Sequence, residues 1–192
     1  MENNNYYSVL IASLKDLFIQ FNDNPYDYFY EEDVRVDLAQ KLMHYIKPIE
    51  FIHFKRSIRT IPIKCEYPSS LASKQRHDLV FVEPNSLSNI YNLDIPIAIE
   101  LKLGSKSYDR CSEFKEDIKK FLGYTLDNFI GICIYFYQDE IDLILFEKWF
   151  EDIVEKFEKI DAENITIDIS AVNSFIVTPN KSILKAISYK NC

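Results

Sequence analysis

Residues 97–104 read IAIELKLG. Ile97, Ile99, Leu101 and Leu103 alternate, as on the apolar face of a strand, and the opposite face carries Ala98, Glu100 and Lys102. Upstream, Asp78 lies near the start of a second β-prone run, RHDLVFVE (76–83). If the two runs pair as a hairpin, the start of the first lies beside the end of the second. Asp78 and Glu100 then converge at one end of a sheet. Two carboxylates and an ammonium are costly to bury without partners. A divalent cation removes the cost, because Mg²⁺ takes one or two carboxylates, several waters and phosphate oxygens. Such an ion would polarise a phosphodiester and acidify a bound water. Lys102 would orient that water or stabilise the charge that builds on the phosphorus oxygens.

The elements that must position these residues follow from periodicity. YSVLIASLKDLFIQF (7–21) has the spacing of a helix, NDNPYDY (22–28) reads as a loop, and a second helix is expected from about Glu31 to Tyr45. Val34, Leu38 and Leu42 form its stripe, and Glu31, Glu32 and Asp33 load its first turn with the charge a helix N-terminus favours. Residues 49–66 read as strand and turn, and 84–94 as a connection. CSEFKEDIKKFLGY (111–124) is an amphipathic helix. FIGICIYFY (129–137) and IDLILF (141–146) read as strands. EKWFEDIVEKFEKI (147–160) reads as a helix with Trp149, Phe150, Ile153, Val154, Phe157 and Ile160 inward. ITIDIS (165–170) and SFIVT (174–178) suggest a late strand pair or edge elements, and SILKAISYK (182–190) a last short helix. The expected architecture is one α/β domain over 1–192, a central mixed sheet flanked by helices. Its core spans about 30–137, and residues 138–192 pack on it.

Asp78, a gap, and then Glu100-Leu101-Lys102 resembles the D…(D/E)xK core of the PD-(D/E)xK nuclease superfamily, the restriction endonuclease-like proteins. The resemblance covers roughly residues 30–137. Members often carry a glutamate at the start of a preceding helix; EEDVRVDL fits that place, and the helical pattern favours Glu31 over Glu32. Members also set a helix and then an apolar strand after the lysine, as 111–124 and 129–137 would do. The resemblance implies a restriction endonuclease-like fold and Mg²⁺ as cofactor, with Mn²⁺ as a substitute. Asp78, Glu100 and the Leu101 carbonyl would be ligands, Lys102 would sit at the water, and Glu31 would support the metal. Two features depart from the pattern. His77 stands where a proline is frequent, and its side chain is expected on the opposite face. The helix 111–124 lacks the glutamine of many exonuclease members and offers Asp117, Lys119 and Lys120 instead.

Charge is unevenly spread along a chain of net charge −8. Between His53 and His77, six bases (Lys55, Arg56, Arg59, Lys64, Lys74, Arg76) face one acid, Glu66. Between Asp139 and Glu163, ten acids face three bases. A local basic field matters more to a phosphate ligand than the total. Lys55, Arg56, Arg59, Lys74, Arg76 and Lys119 are therefore the candidate nucleic-acid contacts, with DNA the expected partner. A homodimer, or a partner protein that supplies targeting, suits so short a chain. Competing readings are an ion pair at a sheet end, a nuclease-fold module that binds without cleaving, and an unrelated α/β domain docking partners through its acidic half. The aromatic-rich segments read as core and rim packing. The four cysteines and three histidines show no zinc or redox spacing. No apolar run is long enough to span a bilayer and no signal peptide is evident, so a cytoplasmic location is expected.

Overall fold

A computed structural model describes residues 3–53, 55–68, 75–84, 93–104, 111–122, 129–139, 143–179 and 181–189. Helix α1 (Asn3–Asp23) is followed by a 3₁₀ turn (Pro25–Asp27) and α2 (Glu31–Tyr45). A small hairpin of β1 (Ile49–His53) and β2 (Arg56–Thr60) forms a separate two-stranded sheet. Strands β3 (Ile63–Pro68), β4 (Arg76–Glu83) and β5 (Asp94–Gly104) come next, then helix α3 (Cys111–Leu122) and strand β6 (Ile130–Tyr137). The chain ends with α4 (Leu143–Phe150), β7 (Glu158–Ile160), β8 (Ala171–Val177) and β9 (Ile183–Tyr189).

The main sheet has seven strands in the order β3-β4-β5-β6-β8-β9-β7. Strands β3, β4 and β5 form an antiparallel meander, β5, β6 and β8 are parallel, and β9 and β7 close the far edge antiparallel. The order agrees with the expected α/β class, and the expected hairpin of 76–83 with 95–103 is present. Strand β5 is central and covered on both faces, which is why apolar residues fill it apart from Asp94 at its exposed start, Glu100 and Lys102.

Two apolar layers sandwich the sheet. On one side α1 and α2 deliver Leu14, Phe18, Leu38 and Leu42 onto Phe81, Ile99, Ile134 and Phe136. On the other, α3 delivers Phe114, Ile118 and Phe121 onto Val80, Ala98, Cys133 and Tyr135. Each side chain so buried contributes about 1.5–3 kcal/mol. The close fit of α3 depends on Gly131 in β6. A Cβ there would lie 2.7 Å from the Phe121 ring, so only glycine lets the helix approach this far.

Several expectations fail in the C-terminal third. Residues 143–146, expected within a strand over 141–146, are helical, and 141 and 142 lie outside those described; the helix α4 occupies 143–150 and ends where residues 147–160 were expected to be helical throughout. Phe150, Val154 and Phe157 are buried as expected, but Trp149 is 42% exposed. Residues 165–170 form no strand; the late pair is β8 with β9, and the latter replaces the expected last helix. The N-terminal helix begins earlier than expected, at Asn3, and residues 123 and 124 lie outside those described. Cys111 and Cys133 are buried and Cys65 is exposed, all as free thiols. Among the described residues no helix is long and apolar enough to cross a membrane.

Candidate active site

The site is built where β4 and β5 meet. Leu79 lies opposite Ile99, so one step further out Asp78 lies opposite Glu100. Asp78 Oδ2 accepts the backbone N–H of Leu101 at 2.7 Å. The carboxylate therefore sits in the plane of the sheet, in place of a ladder bond. The strand leaves strict alternation here, and His77 turns toward α3. Its ring stacks on Phe121 at 5.4 Å, and its Nδ1–H donates to Glu100 Oε1 at 2.7 Å. The expectation that His77 faces away from the site is thus corrected: the in-plane bond of Asp78 turns its neighbour inward.

Glu100 is 4% exposed and is also bonded by the Lys120 ammonium, from α3. Burial alone would push Glu100 up; the His77 hydrogen bond and the Lys120 charge outweigh it and hold the carboxyl below its ordinary value. Asp78 has weaker compensation. Burial and then the Glu100 charge push it up to about 7, against the Leu101 N–H and Lys102. Arg35, on α2, approaches Asp78 Oδ1 only to 3.5 Å, because its guanidinium also bonds Glu32 and Glu66.

Lys102 leaves β5 between the two helices. Its Nζ is 3.4 Å from Asp117 Oδ2 on α3 and 3.6 Å from Glu31 Oε1 on α2. Both are longer than a charge-assisted hydrogen bond of about 2.7–2.9 Å. Burial lowers the Lys102 pKa, but Asp117 and Glu31 more than offset it and hold the ammonium charged. Asp117 itself is pushed up to about 6, by burial first, despite the Lys102 charge, and Glu100 adds to the push.

The structure brings Asp78, Glu100, Lys102 and Glu31 to one end of the sheet and adds His77, Arg35, Asp117 and Lys120. Arg35 escaped the sequence reading, although it stands four residues after Glu31 and so shares that face of α2. Of the expected nucleic-acid contacts, Lys55, Arg56 and Arg59 are exposed on the β1–β2 hairpin. Arg76 is exposed at the start of β4 and bonds the Glu66 carbonyl at 2.7 Å. Lys119 is drawn to Glu116 at 3.1 Å and Asp152 at 3.9 Å. Lys74 lies outside the described residues.

Among the described residues no three His, Cys, Asp or Glu side chains are grouped to hold a metal ion. Two carboxylates suffice for magnesium when water and substrate oxygens complete its shell. Asp78 and Glu100 fit the donor chemistry: both are hard oxygen donors at opposed positions of β4 and β5, and Arg35 approaches Asp78 only to 3.5 Å. His77 and Lys120 both bond Glu100 through Oε1, and Glu31 is engaged by Lys102. Among the described residues, six carboxylates (Glu31, Glu32, Glu66, Asp78, Glu100, Asp117) here share three permanent cations, Arg35, Lys102 and Lys120. No family model, curated protein or solved structure matches the chain.

Proposed function

We propose that this chain is a Mg²⁺-dependent nuclease that hydrolyses phosphodiester bonds, an endodeoxyribonuclease of restriction, defence or repair type acting on DNA in the cytoplasm. The observation that carries the reading is the bond from Leu101 N–H to Asp78, which sets the aspartate directly against the Glu100-Leu101-Lys102 segment. The resemblance to the PD-(D/E)xK superfamily is supported by the order α2, meander, α3, β6 and by Glu31 opening α2. Asp78, Glu100 and the Leu101 carbonyl would hold the ion, with Glu31 beside them and Mn²⁺ as a substitute. When bound, the ion would polarise the phosphodiester and acidify a water.

The remaining work falls to side chains. His77 and Lys120 keep Glu100 ionised. Glu31 and Asp117 keep Lys102 protonated and aimed at the space between the helices. Lys102 therefore serves as a fixed positive charge and proton donor, not as a base. A homodimer or a targeting partner would extend recognition beyond this small domain.

A second reading has its own support. The bonds of His77 and Lys120 to Glu100 already satisfy part of the cluster internally, as in a nuclease-fold module that binds nucleic acid or protein without cleaving. Supercoiled plasmid with Mg²⁺, Mn²⁺ or EDTA separates the two. The nuclease nicks it with either metal, is silent in EDTA, and is silent as Lys102→Ala or Asp78→Ala. Cleavage that survives both substitutions removes this site, and absence of DNA or RNA cleavage with every divalent metal leaves the binding module.

A further inference from the structure

The segment NPYDYFYEE (24–32) enters α2 through four aromatic residues, and the chain treats them unequally. Tyr28 turns inward, 3% exposed, with its hydroxyl donating to Asp37 Oδ2 at 2.6 Å and its ring 5.7 Å from Phe21. Tyr26, Phe29 and Tyr30 turn outward and are 65%, 79% and 72% exposed. Phe29 is the one exposed phenylalanine among the described residues.

The loop that carries them is firmly tied. Buried Gln138 donates through Nε2 to the carbonyls of Pro25 and Tyr28, both at 2.8 Å. Asp33 Oδ2 accepts the N–H groups of Phe29 and Tyr30 at 2.8 and 2.9 Å. Three large rings are thus held in water by an ordered backbone, each forgoing about 1.5–3 kcal/mol that burial would contribute.

We propose that Tyr26, Phe29 and Tyr30 form a stacking platform for unpaired bases of a nucleic-acid strand. The proposal rests on the nuclease reading for what lies beside the platform, and it names the substrate class as single-stranded or locally unpaired. Two observations favour a nucleic-acid strand over other occupants. The first is position: Tyr30 directly precedes Glu31, whose carboxylate reaches to 3.6 Å from Lys102, so a stacked base lies next to the candidate active site. The second is charge. Glu31 and Glu32 are paired with Lys102 and Arg35, which damps repulsion of phosphates; Asp33 accepts two backbone N–H groups, and Asp27 is exposed. Ring faces accept any base, but only a base freed from its neighbours offers its face, so a continuous duplex is a poor ligand.

The test reads binding without hydrolysis. Fluorescence anisotropy in EDTA follows a labelled single strand of about 12 nucleotides, a length within the usual range for such grooves, beside the blunt duplex of the same sequence. The single strand binds more tightly than the duplex. Phe29→Ala weakens single-strand binding about tenfold and the triple alanine variant by at least about 100-fold, given the usual contribution of a stacked base. Phe29→Trp restores binding, and its added emission is quenched by the strand. Tyr189→Ala, at an equally exposed ring on β9, still binds within a few-fold. Unchanged single-strand affinity in Phe29→Ala overturns the proposal, even if the triple variant does not fold. A loss of self-association on size exclusion with strand affinity intact also overturns it, in favour of a contact between copies. A protein that binds through these rings but never cleaves sinks the nuclease reading alone. One that cleaves regardless of the rings sinks the platform alone.

Discussion

Lys185, on β9, sets its ammonium on the carbonyl and hydroxyl oxygens of Thr166, the latter at 2.6 Å, and over the ring of Phe175. Lys102, on β5, stands instead between two carboxylates that do not close on it. Neutral oxygens bond the first lysine, and burial lowers its pKa against the charges of Asp168 and Glu158. Its neighbour Asp168 is held below the ordinary carboxylate value by hydrogen bonds from Ser170. Around Lys102 the aspartates go the other way, Asp78 up to about 7 and Asp117 up to about 6, each chiefly through burial. One region satisfies its polar groups and serves to pin the segment before β8. Among the described residues the other holds more carboxylates than permanent cations. Charge left unmatched inside a fold marks a place where something from outside completes it.

The largest test of this contrast is catalytic. Lys102→Ala lowers plasmid cleavage at least about 10³-fold, the scale of losing a charge that stabilises the transition state. Lys185→Ala leaves cleavage at 25 °C within about twofold. Equal losses would break the comparison. The next effect is thermal. Lys185→Met strands the oxygens of Thr166 and costs about 1–3 kcal/mol. In a chain of this size that lowers Tm by about 2–4 °C per kcal/mol, as calorimetry reads it.

The pH dependence has a definite sign. Asp78 titrates at about 7 in the fold against an ordinary 3.8, so the native state binds more protons across that window. Stability therefore falls as pH rises from about 4 to 7. Asp78→Asn keeps an acceptor for Leu101 N–H and removes most of this slope. Its Tm should exceed the parent's at pH 8 by a few degrees, at about 2–4 °C per kcal/mol. A smaller slope from Asp117 remains. Added Mg²⁺ at pH 8 raises the parent's Tm by mass action and leaves Asp78→Asn unmoved; a parallel rise in both variants would place the ion elsewhere. The smallest effect belongs to Asp168→Ala, which loses the Ser170 bonds at a cost of about 0.5–1.5 kcal/mol with no pH signature above 5.

Much of the candidate-site end could be read in advance because its signals are local. The alternation at 97–103, the acids opening α2 and the amphipathic pattern of α3 each reflect one element's own surroundings. The errors arose where surroundings decide. Strand β9 is buried along most of its length, so it shows no alternation, and ILKAISY is then indistinguishable from a helix by pattern. The alternation of ITIDIS suggested a strand, yet Asn173 and Ser170 tie up Asp168, and side-chain bonds of this kind compete with a ladder. His77 was misplaced because period-two reasoning assumes ladder bonds, and Asp78 supplies a side-chain bond in their stead. Arg35 could be placed on the face of Glu31, but its reach to Asp78 depends on how α2 lies against the meander.

Gly131 gives this arrangement a mechanical consequence. With Phe121 resting where a Cβ would stand, α3 has no clearance above β6. The same helix carries Asp117 to Lys102 and Lys120 to Glu100. One added methyl on the strand would lift the helix as a rigid lever and draw both charges out of register. Four polar residues are in this way geared to the thickness of a single hydrogen atom, at a position that takes no part in the chemistry.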